Sequence, residues 1–397
     1  MTLHLNVVWT IVAALFAIEL GKRLNRLFVW FDRASVPPSV TAGLLLSLIL
    51  AGLRAEGWLD VRFDTAPRDL LLLVFFSSLG LGAHLSRIAT AGRGALVVCL
   101  GIVLVIVAQN VVGIAVAHAF GDSPLLGVFL GSAAYAGGHG TVVAWASTPL
   151  GTSTPGAFEI GIGSATLGLV FGGLVAGPVS VWLATRDRFA ARHSTVFADD
   201  EGHTPERESA FSTDRWLPCL LWMALSLAVA QSLLEAAAGL DLKTPAFLAV
   251  LLISVVITNA ADLAKRPIDT EVTDLVGTVA LRVFLAIAML SLNWGELVAH
   301  LPMLLTAAAM QVVVTVAVAV LVVYTLFGRG PEGAAATGGF IGMSLGAMPV
   351  GLAVMRRMNI RFGDTPRALL AVTLAASLFT DMANALGITG FIRWIGM

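Results

Sequence analysis

Two glycine-rich stretches decide the fold: GSAAYAGGHGT at residues 131–141 and GGFIGMSLGAMP at residues 338–349. Both are poor helix formers, because glycine loses much conformational freedom when it is ordered. Both lie in apolar surroundings and place serine or threonine among the glycines. Irregular backbone survives at membrane depth only where protein or water covers it. The two stretches therefore predict broken hairpins, at about 125–148 and 334–356, inside a membrane protein.

The composition supports a membrane location. Only 12% of the 397 residues are charged, against roughly 25% in a soluble domain, and 57% are hydrophobic. This balance excludes an ordinary soluble enzyme and a disordered protein, and a net charge of −1 leaves no basic surface for nucleic acid. Cys99 and Cys219 form neither a zinc spacing nor a disulfide framework. We expect an all-α polytopic protein surrounded by a lipid bilayer.

The positions of the basic residues predict the topology. Twelve apolar segments recur along the chain, and one polar stretch, 186–215, divides them six and six. If all twelve cross the membrane with the N-terminus outside, Lys and Arg divide 11 inside against 12 outside. If the two glycine-rich segments instead enter and leave on one side, the division becomes 18 against 5. The charges thus predict ten helices, two re-entrant hairpins that enter from opposite faces, and both termini outside.

The two halves share landmarks in the same order. Gln109 and Gln311 each lie in a long apolar segment, and a double glycine follows each after a similar interval. We therefore predict two inverted repeats of five transmembrane helices with one glycine-rich hairpin each. The predicted boundaries are an N-terminal repeat at 1–185, a cytoplasmic linker at 186–215 and a C-terminal inverted repeat at 216–397.

Several motifs resemble the bacterial glutamate:sodium symporter family. They are AGGHGT at 136–141 after Gln109-Asn110, GAMP at 346–349, RFG at 361–363 and DMANAL at 381–386. The resemblance covers essentially the full chain. It implies inverted five-helix repeats, a homodimer and elevator-like movement. It also implies Na⁺ as the coupling ion and uptake of a small anionic, glutamate-like substrate across the cytoplasmic (inner) membrane.

The chain departs from that family at several polar positions. Small or apolar residues replace hydroxyls and amides in both hairpins, and one arginine stands where a small residue is expected: Ala134, Ala136, Met348, Val350, Val354 and Arg282. A lost hydroxyl or amide is a lost contact to substrate or ion. The resemblance therefore predicts the architecture and leaves the identity of the substrate open.

Two charged residues lie in the middle of apolar segments, where a charge is costly and usually functional. Asp381 and Asn384 are three residues apart on one helix face, and we predict that they bind Na⁺ or substrate. The alternative is that Asp381 forms a structural salt bridge with Arg282. Arg282 itself either binds a substrate carboxylate or neutralises Asp381 or Glu159.

Within the hairpins, His139 either forms a hydrogen bond to the substrate or transfers a proton, or it fixes the hairpin backbone. Other candidate contacts are short hydroxyls and close-approach glycines: Ser132, Gly137, Gly138, Gly140, Thr141, Gly339, Ser344 and Gly346. Gln109 and Gln311 either connect helices, at roughly 0.6–2 kcal/mol each, or line the hairpin site. The glycines of the sixth segment predict close packing against the first hairpin.

Three classes of function follow from these features. The leading prediction is a secondary transporter driven by sodium, with proton coupling and a different carboxylate substrate as the alternative. Glycine-rich re-entrant loops also build channel filters, but hairpins entering from opposite faces suit alternating access better. The sequence contains no HExxH motif and no nucleophile–base pair, so we do not expect an enzyme.

Overall fold

A computed structural model describes residues 2–28, 37–84, 92–186, 213–237 and 245–395, and these residues are almost entirely helical. Most of the predicted linker, 187–212, lies outside the described residues. A short parallel pair of strands, β1 (Thr2–Leu5) and β2 (Asp60–Phe63), is the sheet observed in the described part of the chain. It places the start of the chain beside a later loop, at one end of the molecule.

The first half of the chain forms a series of helices that ends just before the linker. Their bounds are α1 (Val7–Leu27), α2 (Pro38–Ala55), α3 (Ala66–Leu81), α4 (Gly92–Ala119), α5 (Leu126–Phe129), α6 (Gly138–Ala146), α7 (Pro149–Ser153) and α8 (Ala157–Arg186). The side chain of Asn6 caps α1 by accepting a hydrogen bond from the Trp9 amide. The short helices α5 and α6 lie in the first glycine-rich stretch.

The second half is also helical. Their bounds are α9 (Thr213–Ala237), α10 (Ala246–Leu263), α11 (Thr270–Leu290), α12 (Trp294–Ala299), α13 (Leu301–Val318), α14 (Thr325–Phe327), α15 (Pro331–Leu345), α16 (Met348–Phe362), α17 (Pro366–Ala375) and α18 (Asp381–Ile395). Two π-helical turns, Ala319–Tyr324 and Ala376–Thr380, join α13 to α14 and α17 to α18.

The prediction of a polytopic all-α membrane protein is confirmed. Seven helices of the described residues are long and apolar enough to cross a bilayer: Pro38–Ala55, Gly92–Ala119, Ala157–Arg186, Arg215–Ala236, Ala246–Leu263, Thr270–Leu290 and Leu301–Phe327. Many of their large apolar side chains are exposed, as lipid-facing residues are.

Both glycine-rich stretches double back on themselves. In the first hairpin, defined as residues 125–148, Phe129 before the turn and Val142 after it both reach Gly161 of α8. In the second hairpin, α15 and α16 run antiparallel around Gly346 and Ala347, with Gly342 packed on Gly351. The helices α15 and α16 together cover 331–362 and include the predicted hairpin region at 334–356.

Six helices pack into one group, here called the scaffold body: α1, α2, α3, α9, α10 and α11. Its helices approach at glycines. A Cβ added at Gly277 of α11 would lie 1.8 Å from Ser78 Oγ, and one at Gly80 of α3 would lie 2.5 Å from the Leu251 carbonyl oxygen. A buried hydrogen bond of 2.7 Å joins Ser77 to Ser226.

The remaining long helices, α4, α8, α13 and α17–α18, surround the two hairpins and form the hairpin body. Backbone again meets backbone. A Cβ at Gly113 of α4 would lie 2.1 Å from the Gly127 carbonyl oxygen, and one at Gly168 of α8 would lie 2.1 Å from the Leu345 carbonyl oxygen. In the sixth segment, Gly161 packs on the first hairpin as predicted, and Gly168 lies against both Tyr135 of the first hairpin and Leu345 of the second.

The predicted topology is tested by labelling single cysteines from outside the cell, after Cys99 and Cys219 are replaced by alanine. Glu56 lies in the loop between α2 and β2, and Lys265 lies between α10 and α11. We expect a membrane-impermeant maleimide to label Glu56→Cys in intact cells and Lys265→Cys only after permeabilisation. Labelling of both positions from the same side would contradict the predicted orientation.

Candidate functional site

A cavity of ≈440 Å³ lies between the scaffold body and the hairpin body. The scaffold body contributes residues of α3 and α11, and the hairpin body contributes both hairpin tips, α8 and the α17–α18 helix. The lining residues used below are Phe75, Thr270, Asp274, Leu281, Ala136, Gly137, Gly138, His139, Gly140, Thr141, Gly346, Met348, Ala376, Ser377, Thr380 and Asp381.

The tips of the two hairpins meet at this cavity. The position of a Cβ on Gly138 would lie 3.6 Å from the Gly346 carbonyl oxygen. Gly138 has φ of +71°, a conformation that L side chains rarely adopt, so glycine is required there. The helices α6 and α16 begin at the tips, and neither has a side-chain cap. Two positively polarised helix ends therefore lie beside the cavity.

The charged side chains on the cavity wall are acidic. Asp274 comes from the scaffold body and Asp381 from the hairpin body, and no Lys or Arg is among the described lining residues. Asp381 makes no hydrogen bond or ion pair with any residue that the structure describes. A carboxylate without a counter-ion in a membrane protein is costly, so the cavity is suited to a cation at Asp381.

His139 both lines the cavity and connects two elements. Its side chain is buried, and its Nε2 lies 3.1 Å from the Thr166 hydroxyl of α8. Two residues later, the Thr141 hydroxyl donates to the Gly137 carbonyl over 3.1 Å. The contact with Thr166 fits the alternative that His139 fixes the hairpin backbone, its place in the lining fits contact with a ligand, and both stay predictions.

Gln109 and Gln311 do not line the cavity. Gln109 Nε2 of α4 donates to the Ser344 carbonyl of the second hairpin over 2.8 Å. Gln311 Nε2 of α13 donates to the Leu130 carbonyl of the first hairpin over 2.9 Å and to the Gln109 carbonyl over 2.8 Å. Both glutamines are fully buried. Each long helix thus holds the hairpin of the other half, which favours the structural alternative for these residues.

Other predicted site residues also hold the hairpins. The Ser132 amide donates to Asn110 Oδ1 over 3.2 Å, and the Ser132 carbonyl accepts from Asn384 Nδ2 over 3.0 Å. Ser344 supplies the carbonyl bound by Gln109, and Gly339 packs against Met355. The structure brings none of Ser132, Gly339, Ser344 or Asn384 to the described cavity wall.

The expected partners of Arg282 are not found. Arg282 is exposed on α11 and pairs with neither Asp381 nor Glu159, nor with any other residue that the structure describes. The helix buries the adjacent residues Val283 and Phe284, which turns Arg282 to the outer face. It lies outside the cavity lining, although Leu281 beside it contributes to that wall.

The departures from the family pattern have different surroundings. Met348 lines the cavity at the start of α16, and Ala136 lines it in the first hairpin. Val350 and Val354 are buried, and Val354 faces Gly338 inside the second hairpin. Of these four residues, Met348 and Ala136 therefore lie on the described cavity wall, and Val350 and Val354 do not.

Four polar lining residues were not predicted: Thr270, Asp274, Ser377 and Thr380. Asp274 carries a recognisable signal, since it is an acidic residue in the second turn of an apolar helix. Ser377 and Thr380 carry none, because short hydroxyls in membrane helices usually bond to their own backbone.

Comparisons with known proteins agree with this architecture. The family model described as sodium/glutamate symporter matches residues 3–364. The chain is 31% identical over 395 residues to the sodium/glutamate symporter of Escherichia coli (strain K12), with 96% of each chain covered. It is 31% identical over 385 residues to the sodium/glutamate symporter of Haemophilus influenzae, with 95% of this chain and 94% of the relative covered.

Replacing Gln311 by leucine tests the hairpin contacts. The change removes the side-chain donor from the Leu130 and Gln109 carbonyls, and we expect it to lower the free energy of unfolding by about 1–3 kcal/mol. Gln231→Leu is the matched control, because Gln231 is exposed on α9. The melting temperatures of the purified proteins provide the measurement. Equal melting temperatures for the two variants would show that Gln311 does not stabilise the hairpins.

Proposed function

The chain belongs to the sodium/glutamate symporter family, and from that premise we propose that it couples sodium entry to uptake of glutamate or a related small anionic amino acid. Membership makes the protein a multi-pass membrane transporter rather than an enzyme. We propose, beyond family membership, the direction of transport, the substrate and the residues that bind it.

The observation that carries the proposal is the cavity between the hairpin tips. The carboxylates of the substrate bind at the starts of α6 and α16, where the helix dipole favours negative charge and no side chain caps the helix. Asp381 balances a cation on the same wall. This division suits a zwitterionic cargo carried together with sodium.

The packing of the two halves supports inverted repeats with re-entrant hairpins. The third long helices of the halves, α3 and α11, pack together, and so do the fourth, α4 and α13. The glutamine contacts are reciprocal in the same way, because Gln109 and Gln311 each donate to the hairpin of the opposite half. An antiparallel duplication produces such reciprocal contacts.

An elevator-type movement follows from the two bodies. Within each body, helices meet at glycines, and a side chain at those positions would collide with neighbouring atoms. Across the boundary, Phe75 and Leu281 of the scaffold body face Gly140, at distances of 3.4 and 3.5 Å from a Cβ placed there. Apolar side-chain contacts of this kind slide more readily than interlocked backbones. We propose that the hairpin body carries the cavity past the scaffold body.

The proposal also includes the orientation in the membrane and the oligomeric state. The distribution of basic residues supports a periplasmic location for both termini in a bacterial inner membrane. The family resemblance supports a homodimer.

Uptake of labelled glutamate into proteoliposomes tests the function. We expect accumulation with an inward sodium gradient and its loss when the gradient is abolished or Asp381 is replaced by asparagine. Asp364→Asn is the control, because Asp364 is exposed between α16 and α17. Uptake driven by a proton gradient alone would instead establish proton coupling, and glutamate-independent sodium currents would indicate a channel.

A further inference from the structure

The helix that carries Asp381 is not a regular α-helix where it meets the cavity. Ala376–Thr380 form a π-helical turn between α17 and α18. In such a turn, carbonyls pair with the fifth following amide instead of the fourth, and π turns inside α-helices frequently occur at functional sites. Ala376, Ser377, Thr380 and Asp381 all line the cavity. The irregular turn and the acidic residue thus form one continuous part of its wall.

The side-chain oxygens of this wall are available as acceptors. The Ser377 hydroxyl donates to the Thr373 carbonyl over 2.9 Å, and the Thr380 hydroxyl donates to the Ala375 carbonyl over 3.3 Å. Each hydroxyl hydrogen is therefore used, while the lone pairs of each oxygen remain. Ionised Asp381 has only acceptor oxygens and pairs with no residue of the described chain. These hydroxyl and carboxylate oxygens therefore have no positively charged partner among the described residues.

We propose that the co-transported sodium ion binds at this π turn. Its ligands are the Asp381 carboxylate, the Ser377 and Thr380 hydroxyl oxygens and a main-chain carbonyl oxygen of the turn. Hard cations prefer oxygen ligands of these kinds, and no lysine or arginine on the described cavity wall competes for Asp381. This site rests on the proposed function, because it assigns the sodium ion of that symport.

The assignment gives Asn384 a different role from the predicted one. Asn384 Nδ2 donates to the Ser132 carbonyl of the first hairpin over 3.0 Å, and a Cβ on Gly137 would lie 2.5 Å from the same nitrogen. Asn384 therefore positions the hairpin one helical turn after the ion ligand Asp381.

This arrangement connects ion binding to substrate binding. A sodium ion at Asp381 offsets a negative charge on the wall of the cavity that receives an anionic substrate. The start of α6, proposed to hold a substrate carboxylate, lies in the hairpin that Asn384 contacts. Sodium then strengthens glutamate binding, and glutamate strengthens sodium binding by the same factor.

Sodium titration of the melting temperature tests the site without substrate. The purified full-length protein is titrated with sodium chloride at constant ionic strength, with choline as the replacement cation. We expect Ser377→Ala and Thr380→Val each to raise the half-saturating sodium concentration by about tenfold, within the range found for groups that order a metal site. Thr373→Val is the control, because its hydroxyl bonds to Leu369 and lies outside the cavity lining.

The titration tests the sodium site at the π turn and the sodium symport separately. If the wild-type protein shows no sodium-dependent stabilisation, sodium symport itself is wrong. If it does, but Ser377→Ala and Thr380→Val match Thr373→Val, the π-turn site is wrong and the symport stands. We expect Asp381→Asn to lose sodium-dependent stabilisation. An unchanged sodium response with loss of glutamate binding would assign Asp381 to the substrate ammonium and overturn the site. Should Asp381→Asn not fold, the hydroxyl variants decide.

Discussion

The fold depends on satisfying the hydrogen bonds of irregular backbone where lipid excludes water. A regular helix satisfies its own carbonyls, but a broken hairpin does not, and each buried unpaired group is costly. Gln109 and Gln311 meet this need by donating to carbonyls at Ser344 and Leu130. Each glutamine belongs to the half opposite to the hairpin it contacts, so these hydrogen bonds form only when the two halves are packed together.

This reciprocal contact explains why the hairpins belong to one body. Gly113 and Gly168 bring α4 and α8 against hairpin backbone at distances that no larger residue permits. The scaffold body has glycine contacts of its own, at Gly80 and Gly277. The cavity opens where these tight contacts end, between two separately packed groups of helices. A binding site at such a boundary changes when the two bodies move relative to each other.

Much of this architecture is predictable from the sequence, because composition, basic-residue positions and glycine motifs follow directly from the requirements of a membrane. The site is less so. Residues 137–141, Gly346 and Asp381 line the cavity, whereas Ser132 and Asn384 contact each other within the packing of the first hairpin. A buried polar side chain requires a partner, and residue type does not reveal whether that partner is backbone or ligand. The π turn is hidden because the residue types of Ala376–Thr380 suit an α-helix equally well. The exposure of Arg282 depends on which face of α11 its neighbours bury.

Distances between spin labels test the division into two bodies most directly. Labels at Glu56 in the scaffold body and Thr152 beside the first hairpin report on the boundary, and labels at Thr152 and Arg361 report on the separation of the hairpins; all three positions are exposed. We predict that sodium and glutamate change the distribution of the Glu56–Thr152 distance and leave the Thr152–Arg361 distance unchanged. A constant distance across the boundary, combined with a changing distance between the hairpins, would contradict it.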